Sequence, residues 1–112
     1  MGPCEDRPPV CGRYQRAAEL VGRRWTAAVI RVTLDGPARF TEIRRSVPGL
    51  SARLLTERLR ELEAEGLVER LPVAGTPGLV EYALTPRGRA LVDVVQAIEA
   101  WVDAWTPPAP ST

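Results

Sequence analysis

The stretch SARLLTERLRELEAEG, residues 51–66, constrains the fold more than any other in this chain of 112 residues. Ser51 offers a side-chain oxygen where a helix leaves its first amide protons unpaired, and Gly66 stands where a helix stops. At about 100° per residue, Leu55, Leu59 and Leu62 gather within about 60° of one another, so one face must be covered. Arg53 and Arg60 fall on roughly the opposite side, flanked by Thr56 and Glu57, while Arg58 lies nearer the apolar edge. Three of the first ten residues are arginine, and the acids collect toward the far end. Packing alone gives no reason to sort charge this way, but presenting the first turns to a polyanion does. Exposed arginines also suit a merely solvated face, so the neighbouring elements decide the reading.

Those neighbours are legible. RYQRAAELVG (13–22) places Tyr14, Ala17, Ala18 and Val21 at helical spacing before Gly22. WTAAVIRVTLDGP (25–37) predicts a second helix with a buried stripe of Trp25, Ala28, Val29 and Val32, closed by Gly36 and Pro37. ARF (38–40) reads as a short strand. Thr41 is placed to cap a brief helix, EIRRSV, whose Ile43 and Val47 point inward, and PGL makes the turn into residue 51. LVERLPV and LVEYALT are strand-like runs joined by AGTPG, a hairpin signal. Thr85 then caps a last helix with Pro86 at its first position. Along that helix Leu91, Val95, Ile98, Val102 and Trp105 form a heptad-like stripe, widened by Val94 and Trp101. So apolar a terminal helix is expected to cover the core and to meet another chain. The expected fold class is mostly α with a small β-hairpin wing (α+β), a winged helix-turn-helix. It is expected to span 13–106, between a flexible arm (1–12) and a disordered tail (107–112).

In a helix-turn-helix the second helix enters the major groove with its N-terminal residues near the base edges. Ser51, Arg53, Thr56 and Arg60 become candidates for groove contact, and Arg45 and Arg58 for clamping phosphates. Thr41 and, in the hairpin loop, Thr76 add hydroxyl contacts. The charge distribution agrees. Net charge is only +1, but residues 39–60 carry six Arg against two acids, and residues 61–112 carry three Arg against eight acids. All fifteen basic residues are Arg, whose planar fork suits phosphates and guanine edges.

The absences narrow the function further. There is no His, and two Cys are too few for a structural zinc site, so no metal or other cofactor is expected. No paired acids flank an evident pocket, which argues against an enzyme. No apolar run is long enough to span a membrane and the N-terminus is not a signal peptide, so a cytoplasmic location is expected. The alternative function is a winged helix that binds protein instead of DNA.

The combination GxxWT, RFTEIRR, PGLSxRxLTxRLRELExxGLVER and YxLTxxGRxL resembles the HxlR-type winged helix-turn-helix transcriptional regulators, relatives of the MarR group, from about Cys11 to Trp101. The resemblance implies a bacterial homodimer that binds palindromic operator DNA; of repressor and activator, a repressor is expected. It implies dimer contacts from the first and last helices, here Tyr14, Leu91, Val95, Ile98, Trp101, Val102 and Trp105. Two departures stand out. Leu79 replaces an arginine that family wings often carry before VEY, leaving Gly75 and Thr76 only backbone or hydroxyl contacts. Cys11-Gly12 replaces Cys-Pro before the first helix. In some members that Cys senses oxidants, and Arg13 and Arg16 beside Cys11 would favour its thiolate. Cys11 therefore has two readings, a redox sensor or a small packed residue. Trp25, Trp101 and Trp105 likewise either pack or line a pocket for a small aromatic effector.

Overall fold

The computed structural model describes residues 11–105. Its elements run α1 (Gly12–Val21), α2 (Thr26–Leu34), α3 (Phe40–Ser46), α4 (Ala52–Ala64), β1 (Val68–Pro72), β2 (Val80–Leu84), α5 (Pro86–Arg89) and α6 (Val92–Trp105). Residues 1–10 of the expected arm and the whole expected tail lie outside the described residues. Cys11 and Gly12, expected in the arm, instead cap and begin α1, with the Tyr14 amide donating to Cys11 Sγ at 3.3 Å.

One core joins α2, α3, α4 and the base of the hairpin. Val29, Ile30, Ile43, Leu55, Leu59, Leu62, Leu67, Val68 and Leu84 are buried in it. The leucine stripe of α4 is placed as expected. In α2 the buried face is shifted: Thr26, Val29, Ile30 and Thr33 are buried, while Trp25, Ala28 and Val32 are only partly so. Thr33 enters the core because its hydroxyl donates to the Val29 and Ile30 carbonyls at 2.9 and 3.0 Å, which removes the cost of burying it.

Three boundaries differ from expectation. Thr41 is not the cap of α3. The helix starts two residues earlier, with Arg39 at the cap and the Glu42 carboxylate accepting from the Arg39 amide at 2.8 Å. Ala38 forms a single β-bridge to Tyr82 instead of a strand. The last helix is broken: Thr85 caps the short α5, accepting from the Gly88 amide at 3.1 Å, and Leu91 lies in the break before α6. Gly88 explains part of that geometry, because a Cβ there would overlap the Leu67 carbonyl, so only glycine lets α5 lie against the α4–β1 junction.

Candidate nucleic-acid interface

The turn between α3 and α4 sets how α4 is presented. Val47 and Leu50 are buried and anchor it. Gly49 between them takes φ +89, a region that disfavours side chains, and a Cβ there would press on the Trp25 ring at 3.4 Å. Arg44 Nε donates to the Leu50 carbonyl at 3.2 Å and ties the turn to α3. Ser51 is the N-cap of α4, its hydroxyl accepting from the Leu54 amide at 3.1 Å. With three leucines buried on one face, the opposite face of α4 is turned outward.

On that outward face Ser51, Arg53 and Arg60 are exposed, and Thr56 and Glu57 are partly so. Arg53 reaches Glu57 at 3.3 Å, and its side chain is 89 % exposed. Such an exposed pair is worth about 1 kcal/mol or less, so the guanidinium is readily released to another partner. Thr56 is less available, because its hydroxyl donates to the Ala52 carbonyl at 2.9 Å. Arg45 is exposed near the end of α3 and Thr41 is exposed in its first turn. Thr76 lies in the exposed hairpin loop, its amide donating to the Val73 carbonyl at 3.2 Å.

Arg58 is occupied differently. Its side chain is 11 % exposed, Nε donates to the Arg24 carbonyl at 2.8 Å, and the guanidinium pairs with Glu61 at 3.2 Å. Arg23 joins Glu61 at 3.3 Å from the other side. These bonds fasten the loop before α2 to the flank of α4. The partners lie 34 residues apart, beyond the reach of helical spacing.

Glu42 is the ionisable group at this end with a clear shift. The Arg39 backbone amide, then the Arg39 side chain, hold its carboxyl below the ordinary range. Among the described residues no group of His, Cys, Asp and Glu is arranged to hold a metal ion, and no helix is long and apolar enough to cross a membrane.

A second surface, formed by α1 and α6, is largely apolar. α1 buries no residue. Tyr14, Ala17, Ala18 and Val21 of α1 face Trp25, Leu91, Val94 and Ile98 across an open groove of about 710 Å³. Ile98, Trp101, Val102 and Trp105 are exposed, whereas Val95 alone in α6 is buried. Cys11 is 5 % exposed and disulfide-bonded.

A buried-backed helix that exposes Ser51, Arg53 and Arg60, held by a tight turn behind a shorter helix and flanked by a two-stranded hairpin, defines a winged helix-turn-helix DNA-binding domain. Residues 20–110 match the HxlR-like helix-turn-helix family, and the chain belongs to that family. It is 40 % identical over 100 residues to the HTH-type transcriptional regulator YvaP of Bacillus subtilis (strain 168), covering 89 % of this chain and 93 % of YvaP. It is 42 % identical over 99 residues to the HTH-type transcriptional regulator YodB of the same organism, covering 88 % of each. The reduced form of YodB superposes with a TM-score of 0.77 at 42 % identity over 90 % of this chain and 99 % of that one. Its quinone-bound form superposes with a TM-score of 0.74 at 41 % identity over 85 % and 100 %. The reduced form of the redox regulator HypR gives 0.76 at 35 % identity over 83 % and 92 %. Transcriptional regulators among the relatives favour the DNA-binding reading over the protein-binding one.

Proposed function

We propose that the chain is a cytoplasmic homodimeric repressor that reads a palindromic operator through the first turns of α4. The observation that carries this reading is that the molecule exposes two unlike surfaces. One exposes Ser51, Arg53 and Arg60 on a rigidly backed helix; the other exposes Tyr14, Ile98, Trp101 and Trp105. Arg53 selects bases, Arg45 positions the protein on phosphates, and the hydroxyls of Ser51, Thr41 and Thr76 serve as lesser contacts. Arg58 acts from within, by holding α4. Two copies joined through α1 and α6 place two such helices in successive major grooves, about 34–36 Å apart.

The same reading makes Cys11 the point of redox control. It sits at the N-cap of α1, and α1 lines the apolar groove. Oxidation joins the Cys11 thiol to a second thiol, that of Cys4 or of a second copy of the chain, with loss of two protons and two electrons to the oxidant, and reduction reverses it. Either change acts on the start of a helix that belongs to the dimer surface. YodB in reduced and quinone-bound forms supports an oxidant or small aromatic effector.

The test is a titration of the protein, reduced and then diamide-treated, onto the duplex upstream of its own gene at two salt concentrations. Binding that weakens steeply with salt and is lost on oxidation is expected. Binding that ignores salt would sink the DNA-binding reading, and binding indifferent to diamide would remove Cys11 from control.

A further inference from the structure

We infer that Arg70 and Arg60 form a phosphate-binding cleft between α4 and the hairpin, so that the hairpin grips duplex DNA from its base, not its tip. The inference rests on the DNA-binding reading above. It concerns a part of the surface that helical spacing does not point to.

β1 and β2 pair antiparallel, with Val68 opposite Leu84 and Arg70 opposite Tyr82. Strand alternation puts Arg70 on the same face as Val68, and cross-strand partners share a face. Val68 and Leu84 are buried in the core against α4. Two residues further out the hairpin leaves the core, so Arg70 and Tyr82 stand at its rim. There they meet Thr56, Arg60 and Glu63, which follow one another along one side of α4, in an open cleft of about 220 Å³. Phe40 of α3 and Leu59 floor it.

The charges of this cleft are not spent internally. Arg60 and Arg70 are both exposed, and neither makes an ion pair or a side-chain hydrogen bond among the described residues. Among the described residues Glu63 is the one acid lining it, so two guanidinium groups exceed one carboxylate. By contrast the hairpin loop, Ala74–Gly78, carries no charge, and Leu79 follows it. A helix in the major groove and a hairpin beside it straddle the sugar–phosphate strand that divides that groove from the minor one. An anionic strand passing there meets Arg60 on one side and Arg70 on the other. Charge-assisted bonds to its oxygens follow from the guanidinium fork.

The experiment measures binding of the full chain to the duplex upstream of its own gene and to a shuffled duplex of equal length, across a salt series. For Arg70→Gln the log–log salt slope should become shallower by about one, with the same several-fold loss on both duplexes. Arg70→Lys should keep the slope, and Arg60→Gln should weaken both duplexes alike. Arg89→Gln, an exposed arginine outside the cleft, should leave the slope unchanged, and circular dichroism melts should show all variants folded. An unaltered slope for Arg70→Gln, while the wild type binds with normal salt dependence, overturns the cleft alone. An equal drop for Arg89→Gln also overturns it, by making net charge the cause. Salt-independent or absent binding by the wild type overturns both the cleft and the function on which it rests.

Discussion

α4 and α6 carry the same kind of apolar stripe and meet opposite fates. Leu55, Leu59 and Leu62 of α4 are 0–2 % exposed, whereas Ile98, Trp101 and Trp105 of α6 are 47, 62 and 77 % exposed. α4 lies between α3 and the hairpin, which cover it within one chain. α6 is held by Val95 and by Glu99, which accepts from Arg31 at 2.9 Å, and otherwise leaves its widest residues in solvent. A large exposed apolar surface opposite a charged one calls for a partner. The contrast teaches that periodicity reports which face is apolar, not which body buries it.

The comparison breaks most decisively at Leu59. Leu59→Ala should cost about 2–5 kcal/mol in chemical denaturation, because it leaves a cavity in a single-chain core. A loss below about 1 kcal/mol would mean that α4 is packed no better than α6. Trp105→Glu should leave the monomer fold intact and weaken self-association by about 2 kcal/mol or more. Sedimentation showing an undiminished dimer would detach the α6 stripe from assembly. At the other end, Arg53→Ala should cost about 1–3 kcal/mol on the operator and relax base choice. Equal losses on operator and random duplex would demote Arg53 to a phosphate contact. Ser51→Ala removes the N-cap of α4 and should lower stability by about 1 kcal/mol, read from the thermal midpoint.

The smallest effect belongs to Glu42. Its carboxyl is held below the ordinary value by the Arg39 amide and side chain, so the folded state takes up this proton less readily than the unfolded chain. The stabilisation is complete above the unfolded value of 4.5 and is lost as pH falls through the lower folded value. The gap in thermal midpoint between wild type and Glu42→Gln should therefore shrink as pH falls below 4.5. A gap independent of pH would show that the charge of Glu42 does nothing for α3.

Much of the reading end was legible because its signals are local. A capping serine, three leucines at helical spacing and a Gly-Pro hairpin loop each act within a few residues, and α4 and the hairpin lie where those signals put them. The misplacements have structural causes. The Arg39 amide donates to Glu42, a bond that Thr41 masks, and Gly88 lets α5 lie close to the Leu67 carbonyl. Arg70 escaped notice because alternation alone does not tell whether a strand residue on the core face is still over the core or already past its edge.

By itself the sequence determined the order of the first four helices and the hairpin, the apolar face of α4 and the concentration of arginine at that helix's front. These follow from backbone capping, side-chain period and charge, which need no knowledge of distant residues. Tertiary structure decided what each charge is for. Arg58 is drawn into the Arg24 carbonyl and Glu61, Arg53 is left outward, and Arg60 is brought opposite Arg70. The Arg24 and Arg70 assignments depend on which elements pack together, across 34 residues for Arg58 and Arg24, and such a partner exists only once that packing has set the distance.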